Sequence, residues 1–152
     1  MRINITIFII QWIVLMPFIT SCKDKSPSIS TLPEIKIRAI SKDTVREFTD
    51  ELILTIQYTD NDGDLGQISA DSLSMEVWDE RLQKPDYYHV PPLAPMNEKI
   101  KITGDIELTL KNLFRLNNAP LESTRLKIRL KDRANQWSNI SISNPIYIVK
   151  HP

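Results

Sequence analysis

Glycine is scarce in this chain, with three in 152 residues, and they cannot build a glycine-rich loop that cradles phosphate. Two of them, Gly63 and Gly66, stand among carboxylates that would repel a phosphate. Cysteine occurs once, at Cys22, which excludes a disulfide within the chain. Histidine occurs twice, at His89 and His151, and with no second cysteine this leaves no ligand set for a conventional structural zinc. Net charge is missing as well: 19 Lys and Arg balance 19 Asp and Glu. A nucleic-acid partner is therefore not expected, because displacing counterions from phosphates takes a basic stripe. No serine or cysteine sits in a nucleophile motif with a base and an orienting group, so the chain is not expected to be an enzyme.

What is present is globular composition, 41% apolar and 25% charged, in a length that suits one domain. The N-terminus reads separately from it. Arg2 is the only charge before Lys23, and Ile3 to Ser21 is apolar apart from Asn4, Thr6, Gln11, Thr20 and Ser21. A positive start, a short apolar stretch and small residues before a cut describe a secretory signal peptide over residues 1–21. A membrane-spanning helix would need about 20 apolar residues; this run is shorter, is interrupted by polar residues and contains Pro17. Cleavage would remove Arg2 and leave a net charge of −1.

The stretch Ile19-Thr20-Ser21-Cys22 resembles the lipobox of bacterial lipoproteins, although Thr20 departs from the small residue usual at its place. It implies lipidation of Cys22. The competing reading is a buried free thiol acting as a small hydrophobe. Two acyl chains anchor a protein stably, at about 0.8 kcal/mol per buried methylene. Residues 22–33 then form the lipidated cysteine and a flexible tether, polar and with two prolines, Pro27 and Pro33.

From Glu34 the apolar period is two, the mark of strands with one buried face. Ile35 and Ile37 alternate with Lys36 and Arg38, and Leu52, Leu54, Ile56 and Tyr58 with polar Thr55, Gln57 and Thr59, a pattern that Ile53 breaks. Leu73, Met75 and Val77 follow, then Ile100 and Ile102, a break at Gly104, and Ile106, Leu108 and Leu110. Leu126, Ile128 and Leu130 alternate with Arg125, Lys127, Arg129 and Lys131, a basic row expected on a solvated face. Ile140, Ile142, Ile146 and Ile148 read as one set in phase across Pro145, which should mark an edge or a bulge. A single helical turn could fit around Leu110–Phe114, and Lys84 to Pro95, with four prolines, reads as an irregular crossover. The expectation is an all-β domain over 34–152: an immunoglobulin-like antiparallel β-sandwich of about seven strands.

Asp60-Asn61-Asp62-Gly63-Asp64-Leu65-Gly66 and Asp132-Arg133-Ala134-Asn135-Gln136-Trp137-Ser138-Asn139 carry a further resemblance. The chain resembles small lipoproteins of the Bacteroidota with a D-x-D-G-D-L-G loop after an early strand and a D-R-A-x-x-x-S-N motif near the C-terminus. The resemblance implies fold and location, an outer-membrane lipoprotein facing the periplasm or the cell surface, and implies no activity.

The acidic loop is the leading candidate site. In an extended segment Asp60, Asp62 and Asp64 point to one side, and hard oxygen ligands suit calcium. An EF-hand fits poorly, since that loop wants glycine at its sixth place, where Leu65 stands. In an immunoglobulin-like sandwich the Asp60 and Asp132 loops would share one end, so Asp132 could complete the shell. Asp, Asn and Gly are equally what turns are made of, and composition fits both readings. Trp78, Tyr87, Tyr88 and Trp137 could form a platform for sugar rings, or cover a core edge with their polar tips in water. The resulting expectation is a lipid-anchored, non-enzymatic binding or accessory module with a protein or glycan partner. The alternatives are a glycan-binding surface lipoprotein and a small cation-dependent hydrolase.

Overall fold

The computed structural model describes residues 30–151. The expected signal peptide, Cys22 and the first part of the tether lie outside the described residues. Ten strands follow in chain order: β1 (Glu34–Ile40), β2 (Thr44–Arg46), β3 (Leu52–Asp60), β4 (Leu73–Asp79), β5 (Asp86–His89), β6 (Ile102–Leu110), β7 (Leu121–Thr124), β8 (Leu126–Leu130), β9 (Ser141–Ile142) and β10 (Ile146–Val149). Among the described residues there is no helix, so the turn allowed near Leu110–Phe114 does not form.

The strands make an antiparallel β-sandwich. One sheet has the order β1-β3-β6. A second has the order β5-β4-β8-β9, and a third, three-stranded sheet has the order β2-β10-β7, with β2 running parallel beside β10. Inward rows from the three sheets meet in one core that includes Leu54, Ile56, Leu108, Val77, Ile128 and Ile148. Period two accounts for this: each residue facing inward is flanked by two facing solvent. Burying an aliphatic side chain of this size contributes about 1.5–3 kcal/mol.

Four readings of the sequence change in the structure. The strand count rises from about seven to ten, partly because the last hairpin is interrupted. In that hairpin Lys127 and Ile128 face Ile142 and Ser141, a register that would put Thr124 opposite Pro145. Thr124 faces Ile146 instead. One residue has been added to the β9–β10 side, a bulge placed where proline cannot donate to a ladder. The added residue flips the phase, so Ile140 and Ile142 are exposed while Ile146 and Ile148 are fully buried. The four isoleucines are therefore not one set. Gly104, read as a break, lies inside an unbroken β6 opposite Tyr58. A Cβ there would come within 2.6 Å of the Tyr58 hydroxyl, so the missing side chain is the space that the phenol occupies. The proline-rich crossover contains a strand, β5, which pairs with β4 before the chain crosses at Val90–Pro92.

Candidate metal centre

Two inward rows end on aspartate at the same end of the sandwich. In β3 the buried row Leu52, Leu54, Ile56, Tyr58 finishes at Asp60, which has no solvent exposure. In the facing sheet the row Leu126, Ile128, Leu130 continues to Asp132, also without exposure. The same alternation that builds the core thus delivers two carboxylates to its rim, one from the β1-β3-β6 sheet and one from the β5-β4-β8-β9 sheet.

The Asp60–Gly66 loop turns back over them. Gly63 and Gly66 adopt positive φ, 70° and 87°. A Cβ on Gly63 would fall 2.4 Å from the Ile100 carbonyl oxygen, and one on Gly66 2.1 Å from that of Pro91. Both positions therefore require glycine for conformation and for close approach. The two acidic loops meet directly through a bridge between Leu65 and Asp132. The Arg133 amide donates to the Asp64 carbonyl at 3.1 Å, and the Ala134 amide donates to Asp64 Oδ2 at 3.1 Å. The Arg133 guanidinium donates to the carbonyls of Gly63, Leu65 and Gly66, while Gln67 Nε2 donates to the Asp132 carbonyl.

The inner oxygens are left over. Asp60 Oδ2 accepts from the Leu65 amide at 3.0 Å, and Asp132 Oδ1 accepts from the Gln136 amide at 2.7 Å. Asp60 Oδ1, Asp62 Oδ1, Asp64 Oδ1 and Asp132 Oδ2 are buried and have no hydrogen-bond partner among the described residues. Asp60, Asp62 and Asp64 each offer an oxygen, and these lie within 4.8 Å of one another. Two oxygens on opposite sides of one calcium ion are about 4.8 Å apart, twice a Ca–O distance of about 2.4 Å, so the three fit a single ion. A buried acceptor left unpaired costs about 1–3 kcal/mol, and more when charged.

Electrostatics agrees with the geometry. Burial pushes the Asp60 carboxyl above the usual carboxylate range, and the adjacent Asp62 carboxyl adds to the rise. Asp64 is raised by burial, then by the charges of Asp132 and Asp62. Asp132 is also raised by burial, with Asp60 and Asp62 adding to it against the Gln136 amide. The group resists losing its protons unless another cation replaces them.

The aromatic candidates do not assemble as a group of four. Trp78 and Tyr87 are exposed on the outer face of the β5-β4-β8-β9 sheet, at 39% and 48%. Tyr88 is half-buried and packs against the core from the inner side. Trp137 lies under the Arg129 guanidinium, 4.1 Å from ring centre to charge. Arg129 in turn forks onto Glu76 at 2.9 and 2.8 Å, Lys127 pairs with Glu80, and Lys131 lies over the Trp137 ring. These three of the basic row are thus engaged in pairs and ring contacts, while Arg125 is exposed. Sequence reasoning missed Arg133, Asn61 and Asn139. Each binds backbone, and a side chain that caps a distant carbonyl or amide leaves no periodic trace. The placement of Asp60 and Asp132 was readable, since each continues an apolar row by two residues.

No protein-family model and no curated protein matches the chain. Solved structures similar to it include these two. One is a Niemann-Pick type C2 protein from the Japanese carpenter ant, at 12% identity and a TM-score of 0.43, covering 76% of this chain and 92% of that one. The other is an arginine-to-glutamate variant of the SrpA adhesin from Streptococcus sanguinis, at 15% identity and a TM-score of 0.39, covering 82% of this chain and 60% of that one. Both scores lie below 0.5, and neither likeness carries an argument about this chain.

Proposed function

We propose that the chain is a lipid-anchored, non-enzymatic binding or accessory module of the cell envelope whose β-sandwich is stapled at one end by calcium. The observation that carries the calcium reading is the set of four buried, unpartnered carboxylate oxygens contributed by two loops. Asp60, Asp62, Asp64 and Asp132 are the proposed ligands, and backbone carbonyls or water would complete the six to eight oxygens calcium takes. Clefts of about 240, 300 and 340 Å³ among the described residues are lined by none of these four residues, which favours a structural ion over a cation-dependent hydrolase. The glycan alternative rests on Trp78 and Tyr87, with Trp137 partly covered and Tyr88 turned inward.

The test is a thermal melt in chelator, in millimolar calcium and in millimolar magnesium. An extracellular-type site binds at about 0.1–1 mM. At tenfold excess it stabilises the fold by roughly 1.4 kcal/mol, a rise in Tm of about 3–6 °C for a domain of this size. A calcium-specific rise lost in both Asp62→Asn and Asp132→Asn supports a site shared by two loops. No rise in the wild type, with stability unchanged or raised in Asp62→Asn, reduces the loop to a turn.

A further inference from the structure

The two acidic loops also grip the segment that enters the domain. Asn61, between two proposed ligands, donates from Nδ2 to the Ser30 carbonyl at 2.7 Å. Asn139, at the end of the other loop, accepts from the Ile35 amide at 2.8 Å and donates to the Ile35 carbonyl at 2.9 Å. β1 is an edge strand, paired only with β3. Alternate backbone groups of such a strand point away from its neighbour. Asn139 therefore stands where the next strand would be, and Ser141 Oγ repeats this at the Ile37 amide, 2.9 Å away. Asn139 is itself tied back to the site. Ser138 Oγ donates to the Asn139 carbonyl and accepts from the Leu130 amide, and Asp132 closes the intervening turn onto Gln136.

We infer that the cation site is a latch for the entering segment: a bound ion fixes the two loops against each other, holding residues 30–35 down, and its loss lets them go. This rests on the calcium reading above and adds what the ion controls. Without a cation, the converging carboxylates of Asp60, Asp62 and Asp64 repel one another and the charge of Asp132 on the other loop, the loops part, and Asn61 and Asn139 move with them. Freeing Ser30 to Glu34 would lengthen the chain ahead of the domain by about 17 Å, at 3.3–3.6 Å per extended residue.

Hydrogen exchange on the full-length, detergent-extracted protein reads this directly, because the Ile35 and Ile37 amides are held by side chains of the latch. Peptides spanning residues 30–37 should exchange at least tenfold more slowly in millimolar calcium than in chelator, and Asp62→Asn should abolish the difference. Asn61→Ala removes a latch bond without touching a proposed ligand. Its peptide should exchange faster in calcium, and by reciprocity its calcium dissociation constant should rise about three- to tenfold, the equivalent of one hydrogen bond. Equal exchange with and without calcium, while calorimetry shows calcium bound, overturns the latch and leaves the site standing. Absence of binding heat in the wild type removes the calcium reading and the latch with it.

Discussion

Asp60 is a carboxylate in a position where every preceding residue of its row is aliphatic or aromatic, and its neighbours make the cost of ionising it shared. Asp60, Asp64 and Asp132 all have folded-state pKa values above their ordinary ones. An acid raised on folding binds more protons native than unfolded, so the cation-free domain loses stability as pH climbs from the unfolded value of about 3.9 to the raised one. Calcium competes with those same protons. Its stabilising increment should therefore grow as pH rises above the ordinary carboxylate range, and a pH series of melts in calcium and in chelator would show it; an increment that is flat with pH contradicts shared occupancy. Asp50 acts in the opposite sense, held at about 2 by Arg46, so its contribution is present at neutral pH and lost only in strong acid. The glycines give a second prediction at this scale. Gly66→Ala meets both a positive φ and the Pro91 carbonyl, and should cost about 2–4 kcal/mol in urea unfolding.

At the scale of elements, strands that keep a strict alternation were legible from the sequence, and those that depend on a neighbour were not. β3 and β8 could be read residue by residue because one face of each is buried along its whole length. The β9–β10 strand could not, because a bulge shifts register without changing the spacing of its isoleucines. Gly104 misled for a related reason: its lack of a side chain serves Tyr58 on the adjacent strand. Gly104→Ala should accordingly destabilise by about 1–3 kcal/mol through overpacking, with no positive φ involved. A Tyr58→Phe background, which removes the hydroxyl that a Cβ meets first, should recover part of that loss in a double-mutant cycle. Of the candidate site, the three carboxylates of one loop were readable from their spacing. The partnership with Asp132 rested on the expected topology, and the Asn61 and Asn139 contacts depend on folding that no local pattern encodes.

For the whole molecule, an all-β circular dichroism spectrum and a single unfolding transition are expected of the domain from Glu34 onward, since one core joins the three sheets. The proposed anchoring is tested apart from the fold: Cys22→Ala should leave an uncleaved precursor or move the protein out of the detergent phase, and equal partitioning with equal mass contradicts it. The antiparallel pairing of β1 with β3 has a mechanical consequence under that anchoring. Glu34 lies opposite Thr59, and Ile40 opposite Leu54, so the chain enters at the cation end and runs toward the other pole. That far pole is about 30 Å away, the length of a nine-residue strand, and carries the exposed, stacked rings of Phe48 and Phe114. Tension between the bilayer and anything held at the far pole would load β1 along its own axis. Its rungs to β3 would then be sheared together rather than unzipped one by one, so the edge strand becomes the strap that takes the tension and its side-chain clasps at Ile35 and Ile37 the first rivets to feel the pull.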